Sequence, residues 1–193
     1  MKKELKIFLI FGILVAIAGC RIPFRTATVT VPDEDATGPV ITSATFTVLG
    51  PGGEIFNLDG SDEIGTINIE QALSLNFTAQ DRESGIRSVR LSGEFEFWCG
   101  SVGFGTILTW PINVTNDGPA ATVGETVRVT AGVTKNFKIA DAYEATTCSN
   151  PPPRYQDLIG NFTLTATNYN GDETTRTYSI TIVPSPTGVT VLE

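Results

Sequence analysis

Apolar and polar residues alternate with a period of two along most of this chain, and that pattern restricts it to extended structure. Leu73, Leu75, Phe77 and Ala79 alternate with Ser74, Asn76 and Thr78. Val89, Leu91, Gly93, Phe95, Phe97 and Cys99 alternate with Arg90, Ser92, Glu94 and Glu96. Phe162, Leu164 and Ala166 alternate with threonines, as do Tyr178, Ile180 and Ile182 with Thr177, Ser179 and Thr181. Successive strand side chains point to opposite faces, so each run predicts a strand with one face in a core and one in solvent. Weaker runs lie at 40–48, 107–114, 126–133 and 136–140. Beyond the first twenty residues no stretch shows a helical period.

Turn-forming clusters separate the runs: Gly50-Pro51-Gly52-Gly53, Asp59-Gly60, Asn116-Asp117-Gly118-Pro119, Pro151-Pro152-Pro153 and Asn170-Gly171. The last stands between two alternating strands, a hairpin signal. Seven or more short antiparallel strands joined this way predict an all-β sandwich. The stretch from Asn76 through Asp81-Arg82-Glu83-Ser84-Gly85-Ile86, followed by Val89, resembles the B-to-C corner of bacterial immunoglobulin-like and fibronectin type III-like domains. The stretch from Asn161 to Gly171, followed by Thr174 to Ile182, resembles their closing F–G hairpin. The resemblance implies an immunoglobulin-like antiparallel β-sandwich over residues 38–183. Gly100 to Gly160 is too long for a minimal domain, so extra strands and long loops are expected there.

The N-terminus carries a separate message. Lys2, Lys3 and Lys6 precede an apolar run from Ile7 to Ala18. A basic start followed by a short apolar segment is the layout of an export signal. The run is too short for a transmembrane helix, which needs about 20 residues. It ends in Ile17-Ala18-Gly19-Cys20, which resembles the lipobox of bacterial lipoproteins. That resemblance implies cleavage before Cys20 and acylation of its sulfur and new N-terminus with diacylglyceryl and palmitate-type chains. Two or three chains, at about 0.8 kcal/mol per buried methylene, hold a protein on a bilayer. The chain therefore reads as a signal peptide over 1–19, a lipidated cysteine and tether over 20–37, the sandwich, and a short tail over 184–193. Arg21 follows the cysteine where inner-membrane retention uses aspartate. The expected address is the cell envelope: the outer membrane in an organism that has one, otherwise the outer face of the cell membrane.

Removing the signal leaves 10 basic and 20 acidic residues, a net charge near −10. Such a surface repels phosphate backbones, so nucleic acid is not an expected partner. With Cys20 assigned to lipid, Cys99 and Cys148 remain as an even pair in an oxidising compartment and predict a disulfide; two buried free thiols are the alternative.

No histidine occurs, which removes Ser-His-Asp and Cys-His nucleophile arrangements and the usual zinc sites. No phosphate-binding glycine motif is present, and no cofactor is implied. Oxygen-rich segments offer weak calcium candidates at Asp59, Asp62, Asp81 and Glu83. Asp81-Arg82-Glu83 resembles the acidic triplet of cadherin-type repeats without the further acidic motif that follows it there, the segment from Asn57 to Glu63 misses the spacing of an EF-hand, and acidic turns also simply solvate the ends of a sandwich. Trp98 falls on the outward parity of its strand beside Glu94 and Glu96. There it is either a platform for a sugar or protein partner or packed beneath the 100–160 stretch. The expected function is a non-enzymatic, membrane-anchored binding or structural module with an unidentified protein or glycan partner. A carboxylate-dependent hydrolase acting on envelope glycans is the alternative, recognisable by two carboxylates about 5–10 Å apart beside exposed aromatics.

Overall fold

A computed structural model of the chain describes residues 26–35, 37–50, 53–58, 61–101, 104–146, 148 and 157–185. These form eleven strands and one short helix: β1 (Thr28–Thr30), β2 (Val40–Val48), β3 (Ile55–Asn57), β4 (Ser61–Asn68), β5 (Ala72–Gln80), β6 (Ile86–Ser101), β7 (Phe104–Asp117), β8 (Thr126–Arg128), β9 (Thr130–Lys138), α1 (Ile139–Ala145), β10 (Leu158–Asn168) and β11 (Glu173–Ser185). Two sheets face each other. One has the order β3-β2-β5-β9, the other β4-β11-β10-β6-β7, and a small β1–β8 pair lies apart from both.

The predicted parities hold along the central strands. Leu73, Leu75, Phe77 and Ala79 are buried on β5, and Val89, Leu91, Phe95 and Phe97 are buried together on β6. Phe95 sits where the sheets meet. Its ring centroid lies 5.0 Å from Phe162 on β10, 5.2 Å from Phe137 on the opposite sheet and 6.1 Å from Trp110 on β7. Two glycines make that cluster possible. Gly93 pairs with Phe162 and Gly160 with Phe95, and a side chain at either glycine would strike the rings beside it.

Four features depart from the expectations. β4 runs parallel to β11, so the sandwich is not wholly antiparallel. The chain crosses from β3 at the rim of one sheet to β4 at the rim of the other, where it runs in the same direction as the last strand. Ser61, Asp62 and Glu63, expected in a loop, begin that strand. Residues 139–145 form α1 rather than the end of a strand; Asp141 accepts a hydrogen bond from the Lys138 amide at 2.8 Å and closes its first turn. The tether ends earlier than expected, because Thr28–Thr30 pairs with β8 and Val31 is buried. β11, for its part, continues to Ser185, beyond the expected tail boundary.

Candidate functional site

One end of the sandwich collects the loop after β5, the β10–β11 turn, the segment after β1 and the β1–β8 pair. Asp81 is buried. Its Oδ1 accepts hydrogen bonds from the amides of Glu83 and Ser84, both at 2.9 Å. That closes the turn at Gly85, whose positive φ of 77° suits glycine; a side chain there would meet Val127 and Val29 of the β1–β8 pair. The pair is pinned in turn: the Val31 amide donates to Glu125 and the Asp81 amide to Val129, both at 2.9 Å. Arg128 reaches across with Nη1 to Asn116 Oδ1 at 3.0 Å and Nη2 to Asn116 O at 3.1 Å.

Asn168 is the centre of this end. It is fully buried, and its Oδ1 accepts from the amides of Asn170 at 3.1 Å and Asp172 at 2.8 Å, shaping the turn that Asn170-Gly171 announced. Its Nδ2 faces three carboxylates at once: Asp35 at 3.0 Å, Asp172 at 3.1 Å and Asp81 at 3.2 Å. An amide nitrogen carries two hydrogens, so at most two of the three contacts are good hydrogen bonds at a time. Asp33, Glu34, Asp35, Asn170 and Asp172 line an open cleft of about 390 Å³ beside this centre. No aromatic ring is among the lining residues; Tyr169, next in sequence, donates instead to the Pro119 carbonyl at 2.9 Å.

Sequence reasoning named Asp81 and Glu83 but missed Asn168, Asp35 and Asp172. Asp35 was expected in a tether and lies 133 residues from Asn168 in sequence. The only local signal was an asparagine two positions before an Asn-Gly turn. Among the described residues the calcium candidates form no cluster. Asp59 lies outside the described residues, and Asp62 pairs with Ile180. Ile180 is seven residues along β11 from Glu173, roughly 23 Å from the Asn168 end at strand rise. Glu83 is exposed, and Asp81 is committed to its turn and to Asn168.

Replacing Asn168 with alanine removes the acceptor for two turn amides and a donor for a buried carboxylate. A loss of about 2 kcal/mol in urea unfolding is expected. A change below about 0.5 kcal/mol would mean that the turn holds without it.

The other candidates lie toward the far end of the long β6–β7 hairpin. Trp98 points outward and is half-buried. Its ring lies against Gly105 on β7, with the exposed Ile107 opposite it in register. Cys99, next to it, is bonded to Cys148 with the Cα atoms 5.8 Å apart. The bridge fastens the segment after α1 to the hairpin. Cys20 lies outside the described residues.

No protein-family model matches the chain, and no curated protein matches it. Among solved structures, it is similar to the sporulation control protein Spo0M from Bacillus subtilis, at 9% identity and a TM-score of 0.32. That likeness covers 76% of this chain and 51% of the other, so the chain spans about half the length of that protein. Among the described residues no helix is long and apolar enough to cross a membrane.

Proposed function

We propose that this chain is a cell-envelope lipoprotein, anchored through acylated Cys20, whose immunoglobulin-like sandwich is a non-enzymatic binding or structural module. The observation that carries the anchor is the Cys99–Cys148 bond. It uses two of the three cysteines, is the kind of bond that persists in an exported protein, and leaves Cys20 as the single cysteine free for lipid. The immunoglobulin-like assignment is supported by strand order. β2, β5 and β9 neighbour one another in one sheet, β6, β10 and β11 in the other, and among these six strands the chain crosses between sheets after β5, before β9 and after β9. These are the relations of strands A, B, E and C, F, G in that fold.

The hydrolase alternative draws on the acidic cleft at the Asn168 end, which gathers carboxylates. Among the described residues the cleft has no aromatic surface on which a sugar ring would stack, and Asp81 and Asn168 are spent on holding loops. A module acting through its sheet surfaces fits better.

Metabolic labelling with an alkyne fatty acid tests the anchor. The wild type should be tagged and recovered with membranes, and Cys20→Ser should be neither. Equal labelling of the two proteins would remove the lipoprotein assignment and the envelope address with it.

A further inference from the structure

Four strands form the rims of the two sheets, and exposed rims invite pairing unless something discourages it. β3 is only three residues long, β9 carries Lys135 and Lys138, and β4 carries Asp62 and Glu63. β7 is fourteen residues long, and Asp117 at its last position is its only charge. Among the described residues β7 pairs with β6 on one side and with no strand on the other.

The backbone groups on that open side can be named. The Gly118 amide donates to Arg87 O, one step beyond the Ser88↔Asp117 pair. Antiparallel alternation then makes Val89↔Asn116, Leu91↔Val114, Gly93↔Ile112, Phe95↔Trp110 and Phe97↔Leu108 the bonded pairs. Ile107, Thr109, Pro111, Asn113 and Thr115 accordingly turn their backbone groups away from β6. Pro111 agrees with this register, since β6 asks for no amide hydrogen at its position. All five side chains are exposed. Amide donors at Ile107, Thr109, Asn113 and Thr115, spaced for a ladder, match another extended chain.

A second copy of this chain fits that edge poorly. Two β7 strands paired about Pro111 would lack both central donors, and each copy carries a net charge of −8. Instead, Glu96 stands opposite Thr109 and Glu94 opposite Pro111 on the outer face, and neither has an ion-pair partner among the described residues. A strand added beyond β7 lies about 10 Å from β6. A lysine or arginine on its outer face can reach these glutamates over the short side chains of Thr109 and Pro111.

We propose that the open edge of β7 between Ile107 and Thr115 is a strand-addition site for an extended, cationic segment of another protein. This rests on the binding-module reading and gives it a surface and a class of partner. The test is selection from a phage-displayed random decapeptide library on the full-length protein in detergent micelles. Enriched peptides should lack central proline and carry Lys or Arg at alternate positions. They should bind Thr109→Pro at least tenfold more weakly, because that change removes an open-edge amide while leaving the β6 ladder intact. Circular dichroism checks that the variant folds. Hydrogen exchange on the wild type provides a second readout that needs no variant: bound peptide should slow exchange at Ile107, Thr109, Asn113 and Thr115. Failure to enrich any peptide, equal binding to Thr109→Pro, or protection confined to other residues would each overturn the proposal. None of these outcomes depends on Cys20, so a failed lipid-labelling result and a failed edge are told apart.

Discussion

Replacing Cys99 and Cys148 together with serine is expected to lower the unfolding free energy by about 4 kcal/mol. The bridge spans 49 residues of sequence, and opening a loop of that size returns chain entropy of this magnitude to the unfolded state. For a domain of this size the shift in Tm is roughly 10 °C. The native contacts left behind are modest. α1 docks through Tyr143, whose ring packs edge-on against Phe97 at 4.7 Å, and through the buried Ile139 and Ala142. The Cys148 amide donates to the Tyr143 carbonyl at 3.3 Å, a long bond with little holding power. Urea unfolding of wild type and double variant, with and without reductant, measures the difference. A shift below about 1 kcal/mol would mean that helix docking, and not the covalent link, holds this part of the chain in place.

Phe95→Ala should cost a comparable amount, about 3–5 kcal/mol, for a different reason. The side chain is fully buried and contacts aromatic rings from β7, β9 and β10, so it joins the two sheets at their shared centre. Gly93 and Gly160 beside it have no side chains of their own to move into the vacated space, and the cavity should persist. Ile107→Ala, on an exposed position of β7, is the control and should stay within about 0.5 kcal/mol. A loss below about 1.5 kcal/mol at Phe95 would mean that Phe137, Phe162 and Trp110 repack into the space.

The parts of this fold legible in the sequence are those governed by local periodicity. β5, β6, β10 and the buried half of β11 keep a two-residue alternation because one face meets the core, and the buried Ser74 on β5 departs from it. The Asn170-Gly171 turn falls between β10 and β11, as read. Features governed by distant partners were not legible. β4 was missed because it has no two-residue alternation: Ile64 and Ile67 lie three apart, with a register shift at Gly65 between them, and they follow a run of polar residues that reads as a loop. α1 has seven residues, too few to establish a helical period. β1 has three, and only its pairing with β8, almost 100 residues later, makes it a strand. The Asn168 centre joins residues from three distant segments. An excess of carboxylates in the composition does not say which of them meet, and so the calcium candidates were grouped by sequence proximity rather than by position in space.

The clasp of β1 on β8 also sets a leash. The Ala27 carbonyl accepts from the Val129 amide at 3.0 Å, so the chain is fixed to the sandwich from that point onward. Cys20 is seven residues earlier, and seven residues extend at most about 25 Å. On the proposed anchor, the carboxylate-rich end therefore rides close above the headgroups, within reach of whatever cations gather there. The sixteen residues of β6 lead away from that end and carry the hairpin tip roughly 50 Å farther along the strand axis. A module held this way does not roam at the end of a long tether. On that proposed anchor the sandwich stays within a short reach of the bilayer, and the rim of β7 proposed above as a strand-addition site would be offered to proteins held in the same layer.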